Sequence, residues 1–359
     1  MNQRLIAALI AVPAVLGLLV FAAFEGLPFA TFAPGGTVDV LGDDGNEAEV
    51  VQVDGREVFR DVGQLRMTTV RVSPAGEPPE TAYLSLGELM TKWFDDDDAV
   101  YPYSSVHQDG ETAQSNREEG AVQMATSQDD AIYVALAEDG IDVPEVLQVA
   151  AVTEDMPSVG VLEVGDLLTS VNGEDVADDV ELRDEIQKAT ADQPIAIGIE
   201  RNGTARTVEV TPVVERIEGE ERLLIGITPG YDYDFPFDVR INISENIGGP
   251  SAGLIFSLAV YDTITPGSLT GGARVAGTGE IAPDGTVGPI GGIQQKIAGA
   301  RAEGTDLFLV PADNCADALG VDNGDMELIR ASTMHEVRLA LEAYAADPDA
   351  ELPSCEEAS

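Results

Sequence analysis

The chain opens with an uncharged apolar run, Leu5 to Phe24, flanked by Arg4 and Glu25. At about 1.5 Å of rise per residue, a helix of that length crosses a hydrocarbon core of roughly 30 Å. The run predicts a transmembrane helix over 5–24 behind a short tail at 1–4, with Pro13 a tolerated kink. Beyond it the hydrophobic period shortens to two. After the Pro/Gly-punctuated "FAPGGTVDVLG", the stretches "EAEVVQVDG" and "QLRMTTVRV" alternate as strands do. "TAYLSLGELMTKWF" returns to a helical stripe, with Leu84, Leu86, Leu89 and Trp93 near one face, until the run Asp95 to Asp98 and "YPYSS" break it. In "AVQMATSQDDAIYVALAEDG", Met124, Ala131, Ala135 and Leu136 share a helical face, and Gly140 stands where a C-cap belongs.

From about 145 to 215 the pattern closes on itself. "VLQVAAV" is a strand. "VLEVGDLLTSVNGEDV" holds a Gly165-Asp166 turn, an apolar strand and an Asn172-Gly173 turn. "DVELRDEIQKAT" is helical, and "PIAIGIERNGTARTVEV" makes two strands around Asn202-Gly203, a strong hairpin signal. "RLLIGITPGYDYDFPFDVRINI" adds two strands broken by a turn, and residues 222–345 read as an α/β block. No internal repeat is visible.

A length of 359 residues allows two domains with real cores, and 44% apolar content is ordinary for a globular chain. The charge is not ordinary. With 65 acidic against 19 basic residues the formal net charge is −46, which repels nucleic acid and anionic lipid head groups and excludes nucleic-acid binding. A lysine-poor acidic surface also suits high ionic strength, where salt screens self-repulsion. Arg4 before the apolar run, and no further basic residue until Arg56, put the amino terminus in the cytoplasm and the rest outside. The alternative, a cleaved signal peptide, calls for a small-x-small site, whereas Ala22 and Ala23 are adjacent. Cys315 and Cys355 could pair in an oxidising exterior, or Cys315 could be a small buried residue. Two cysteines and two histidines give no metal-ligand spacing.

Residues 247–256, "IGGPSAGLIF", crowd flexible and stiff residues around one serine. Pro250 suits the first turn of a helix and serine a helix start, so an N-capped core helix is one reading. The other is a nucleophile, approached closely across glycines and Ala252, with helix-start N–H groups for an oxyanion. A nucleophile needs a base. His107 lies in a polar loop and His335 in the amphipathic "ASTMHEVRLALEAY", where a surface role is expected. In "GGIQQKIAGARAEG", Lys296 falls on the flank of the stripe Ile293, Ile297 and Ala300. It is either a snorkelling lysine or one whose burial lowers its pKa enough to accept a proton.

The order "GVLEVGDLLTSVNGEDV", helix, "IGIERNGTARTVEV" resembles a PDZ domain of the bacterial protease-associated kind. That resemblance implies capture of extended peptides as an added strand. The carboxylate loop would lie around Gly140 to Val143, which departs from the Gly-rich form, and no binding residue is assigned there. "GGPSAGL", "GTGEI" and "GTVGPIGGIQQKIAGA" resemble, in order and spacing, the proteolytic domain of Lon proteases, family S16, which use a Ser–Lys dyad. The whole chain is similar to membrane-anchored, PDZ-containing Lon-like proteases of Gram-positive bacteria. The resemblance implies Ser251 as nucleophile, Lys296 as general base and Thr278 as the residue that positions the lysine amine; Gly249 and Ala252 are the positions read from the residues themselves for the oxyanion or a close backbone approach. Gly248 stands where many Lon sequences carry an acidic residue. None of the three lysines, Lys92, Lys188 and Lys296, follows a glycine, so no Gly-x-x-x-x-Gly-Lys ATPase loop occurs in these residues.

The reading is an α+β chain with one transmembrane helix, a PDZ domain at 141–216, a Lon-type α/β proteolytic domain at 222–345 and an acidic tail at 346–359. Residues 36–140 are membrane-proximal. "QLRMTTVRV" and a helix with a methionine-x-x-serine stretch fit the first part of a protease domain split by the PDZ unit; an independent domain is the alternative. The implied activity is ATP-independent serine endopeptidase cleavage of exported or membrane-associated proteins, without cofactor or metal. The enzyme would sit on the cell membrane with its catalytic domain outside, and a hexameric homo-oligomer is implied by the resemblance. The rival is a PDZ adaptor whose Lon-like domain is inactive or only self-processing.

Overall fold

Strand Gln64–Val72 buries Leu65 and Met67 at alternate positions and is sandwiched edge to edge, antiparallel to Phe29–Asp39 and parallel to Arg274–Gly277. In the computed structural model, which describes residues 3–24, 26–43, 48–74, 84–108, 110–191, 193–217 and 220–358, it lies inside a six-stranded mixed sheet. The strand order is Glu327–Ala331, Leu307–Pro311, Arg274–Gly277, Gln64–Val72, Phe29–Asp39, Ala99–Pro102. The parallel half is covered on both faces, which explains why Leu307–Pro311 reads as an unbroken apolar run and is buried throughout.

The α-helices are α1 (Gln3–Phe24), α2 (Leu86–Trp93), α3 (Ala113–Glu138), α4 (Asp179–Gln187), α5 (Gly253–Ile264), α6 (Ile293–Ala302), α7 (Cys315–Ala318) and α8 (Met334–Ala346). Helix α5 is buried on nearly every side, with Leu254, Ile255, Phe256, Leu258, Ala259 and Val260 fully buried; it is the central helix of its core, with α3 against it. Thr112 and Ser115 cap α3 reciprocally, so that helix starts eight residues before the periodic segment at 121.

The chain divides into two compact units, residues 1–141 with 237–359, and residues 142–236. The first is discontinuous in sequence, its sheet drawing strands from both segments. The two ends at the interruption lie close together: Arg56 pairs with Asp139 at 2.6 Å and its guanidinium sits 5.4 Å from the Phe237 ring centroid. Cys315 and Cys355 form a disulfide, and Leu352 and Cys355 are buried. Arg330 N–H donates to Pro353 O, and Ile329 bridges to Ser354, so the acidic segment read as a tail folds back onto the last sheet strand around 353–355.

The second unit is a sheet in the order Thr204–Val210, Ile195–Arg201, Leu167–Val171, Glu145–Val152, Ile227–Tyr233. Its core holds Leu147, Val149, Leu168, Val171, Ile197 and Ile199, joined by Leu182 and Ile186 of α4. Asn202 and Gly203 both take the left-handed conformation that a tight hairpin requires. The boundary near 216–222 is corrected. Strand Ile227–Tyr233 pairs with Glu145–Val152, and Ile225 is buried in the same core, so this unit extends to 236. Strand pairing over 80 residues leaves no local signal, which is why the pattern alone placed the boundary too early.

The apolar run does form α1, but among the described residues no helix is long and apolar enough to cross a membrane. The transmembrane anchor read at 5–24 is therefore not supported.

Candidate active site

Ser251 does not open the helix as its sequence suggests. The α-helix begins at Gly253, and Pro250–Ala252 form a turn closed by Gly253 N–H onto Pro250 O at 3.3 Å. Gly249 precedes it with φ at +91°, a conformation that side-chain-bearing residues rarely adopt. Gly253 is required for a different reason: a Cβ there would come within 2.6 Å of Ile281 and 2.9 Å of Ser127 Oγ.

Lys296 comes from α6, whose entry at Gly292 is left-handed. The flank position read from periodicity is buried, 2% exposed, and Nζ lies 2.8 Å from both Ser251 Oγ and Thr278 Oγ1. Thr278, fully buried at the end of strand Arg274–Gly277, accepts from that amine and donates its own hydroxyl to Ser251 O at 2.8 Å. Gly279 N–H donates to the same carbonyl at 2.8 Å. Thr278 thereby spends its donor on the backbone and its acceptor on the lysine, leaving the lone pair of a neutral amine to face Ser251. Burial holds the Lys296 ammonium down to about 7; the charge of Glu280 opposes the shift and is outweighed. Sequence reasoning missed Glu280 as a neighbour of the dyad, since it lies in the recognised "GTGEI" but without a partner in the local pattern.

Of the two positions read for the oxyanion or a close backbone approach, Gly249 is corrected as an oxyanion donor. Its N–H donates to Gly120 O of α3 at 2.9 Å and is spent. Ala252 sits at the start of α5 and lines the cleft with Ser251 and Lys296. The histidines stay apart from the dyad. His107 is buried, with Nε2 3.0 Å from Ser73 O, and exposed His335 pairs with Glu138. Among the described residues no group of three or more His, Cys, Asp or Glu could hold a metal.

The cleft at Ser251, about 430 Å³, shares Val70, Arg71, Asn246 and Gly248 with a neighbouring cavity of about 870 Å³. Strand Gln64–Val72 runs along both. Its parallel partner ends at the Gly277–Met67 pair, so beyond residue 67 one edge is open. Ser73 N–H bonds Thr31 O, so by antiparallel alternation Arg71 turns its main chain toward Phe29–Asp39 while Val70 and Val72 turn theirs to the open side.

In the second unit an apolar cavity of about 480 Å³ lies between Leu182 and Ile186 of α4 and residues 223–227. Strand Ile227–Tyr233, which follows, is at the edge of its sheet. Residues 140–143, expected to form a carboxylate loop, do not line it. Gly226 does, with φ at +81°, and a Cβ there would meet Met156 at 2.1 Å.

Residues 121–211 match the PDZ domain family, and residues 238–343 match the Lon protease (S16) C-terminal proteolytic domain. The Lon protease of Lachnoclostridium phytofermentans is 37% identical over 106 residues, 28% of this chain and 13% of that protein. Lon protease 1 of Bacillus subtilis is 33% identical over 119 residues, 32% of this chain and 15% of that protein. The similarity thus spans a small part of these relatives' length. The solved PDZ domain of an SdrC-like protein from Listeria monocytogenes is 24% identical, covering 23% of this chain and 86% of that one, with a TM-score of 0.22.

Proposed function

We propose that the chain is an ATP-independent serine endopeptidase in which Lys296 serves Ser251 as general base. The observation that carries this reading is the hydrogen bonding of Ser251 Oγ, at the cleft, with buried Lys296 Nζ and buried Thr278 Oγ1. A buried lysine facing two hydroxyls has little structural merit, because burying an ammonium costs stability. As a base it has a clear use. The neutral amine takes the Ser251 proton, the alkoxide attacks the scissile carbonyl, and N–H groups of the turn, Ala252 among them, face the tetrahedral oxyanion. The resulting ammonium returns its proton to the leaving amine, and water, deprotonated by the same lysine, releases the acyl group.

The open edge at Val70 and Val72 fits an extended polypeptide, whose main chain would complete their hydrogen bonds and lay its backbone past Ser251. The apolar cavity beside edge strand Ile227–Tyr233 would gather exposed tails in the same manner. An enzyme working without ATP should cut folded substrates slowly. The Cys315–Cys355 disulfide supports a working compartment outside the cytoplasm. A homo-oligomeric ring rests on the Lon similarity, and mass measurement in solution tests it.

Casein cleavage by wild type, Ser251→Ala and Lys296→Ala across pH 6 to 10 tests the dyad. Wild type should cleave and both folded variants should lose at least about a hundredfold. Equal activity in all three would overturn the dyad, and a folded wild type that binds peptides but cleaves none would leave the adaptor reading.

A further inference from the structure

Helix α3 belongs to the sequence segment before the second unit, yet it grips the turn that carries the nucleophile in the segment after it. Gly120 O accepts Gly249 N–H at 2.9 Å. Two helical turns later, Ser127 Oγ donates to Pro250 O at 2.9 Å across 123 residues of sequence. Thr278 and Gly279 hold the next carbonyl, Ser251 O. Three consecutive residues of the turn therefore each have a backbone polar group pinned by another part of the fold.

Ser127 is 4% exposed, at the α3–α5 contact, where its hydroxyl lies against the position a Cβ on Gly253 would occupy. Alanine would suit that place better on both helix propensity and apolar packing. A serine inside a helix ordinarily returns its hydroxyl to its own preceding turn. Here the hydroxyl leaves the helix and is spent on the carbonyl one residue before the nucleophile. Close backbone contact reinforces the grip, since a Cβ on Gly248 would meet Gly120 main-chain atoms at 3.1 Å.

We propose that Ser127 is a positioning residue for the reaction: with the Gly120 carbonyl it holds the Gly249–Pro250–Ser251 turn so that Ser251 Oγ faces the lysine amine. The proposal rests on the protease reading. Ser127 touches neither Lys296 nor the cleft, so its loss should misplace the nucleophile without altering the base or the substrate edge. A misplacement of about 1 Å is worth on the order of a hundredfold in rate.

The test compares full-chain wild type with Ser127→Ala by hydrogen exchange and by kinetics on casein-derived peptides. Deuterium uptake over 247–254 should rise several-fold with the rest of α3 and α5 unchanged. The kcat should fall about tenfold to a hundredfold, with KM within about twofold and the midpoint of the pH–rate curve unmoved. Ser127→Thr, which keeps the hydroxyl, should restore most of the protection over 247–254. Unchanged uptake over 247–254 with an unchanged kcat overturns the proposal. Uptake that rises equally through α3 and α5, with activity following only the folded fraction, also overturns it, because Ser127 would then be a packing residue. If wild type neither cleaves peptide nor reacts with an organophosphorus serine probe, the protease reading fails, and the exchange measurement alone decides the clasp.

Discussion

Lys296 is a buried cation whose nearest polar neighbours are neutral hydroxyls, and its charge costs more than the interaction with Glu280 returns. Below pH about 7 it is protonated and cannot act as base, so kcat/KM should climb from pH 6 to 8 and level off. Linkage runs in the same window. The unfolded lysine holds its proton up to about 10.4, so between about 7 and that value the unfolded state binds more protons and stability rises with pH. Lys296→Met should therefore be inactive yet more stable than wild type, most clearly at or below pH 7, with the gain fading toward pH 10; thermal melts at both ends check it. Thr278→Val keeps the shape of the side chain and removes both its hydrogen bonds. It should lower kcat by about tenfold to a hundredfold, read from the same pH–rate series. The residue types were legible in the sequence, and so was the flank position of Lys296. Whether Lys296 snorkels or turns inward was not, because that depends on what packs over the flank.

Helix α5 carries, besides its apolar faces, Asp262, which is 5% exposed and accepts Leu269 N–H at 2.7 Å. Burial, with the charge of Asp61 added, pushes its carboxyl up to about 6, against the opposing pull of that hydrogen bond and of Arg60. A raised folded pKa means that the protonated form is favoured by folding. The contribution is full below about pH 4 and is lost as pH rises through about 6. Asp262→Asn keeps an acceptor for Leu269, and above pH 6 it should exceed wild type by up to about 3 kcal/mol, an advantage that shrinks toward pH 4. Denaturant titrations at pH 4 and 7 decide it. At this scale the periods of 3.6 and 2 marked most elements, but their ends followed side-chain caps such as Thr112 and Ser115, and their partners followed long-range pairing. Trp93 shows the limit of periodicity: it shares the stripe of α2 with Leu89, yet Leu89 is buried and Trp93 is 68% exposed.

For the molecule as a whole, a net charge of −46 outweighs the scattered exposed ion pairs such as Arg60–Glu49, each worth less than about 1 kcal/mol. Salt weakens those pairs but screens the mean repulsion over the entire surface, shrinking the Debye length from about 10 Å at 0.1 M to about 3 Å at 1 M. The melting temperature should rise with added KCl across that range. Because Arg56 touches both Asp139 and Phe237, the ends of the first unit can be joined without the second. Replacing residues 142–236 by a short Gly/Ser linker should leave a folded unit that still cleaves unfolded casein while losing its preference among peptide tails. Loss of folding on deletion would mean that the second unit is structurally required.

The sequence by itself determined the elements, the acidic surface and the short ordered motifs around Ser251, Thr278 and Lys296, because helix and strand periods and glycine-rich turns are local properties of the chain. Tertiary structure decided everything that depends on distant segments meeting. It buried Lys296 and set its amine against two hydroxyls. It engaged the Gly249 N–H and joined Cys315 to Cys355. It also assigned strand Ile227–Tyr233 to the second unit and brought α3 against the Gly249–Ser251 turn. Those outcomes follow from burial and hydrogen-bond satisfaction between groups 18 to 123 or more residues apart, which no pattern within a single segment can carry.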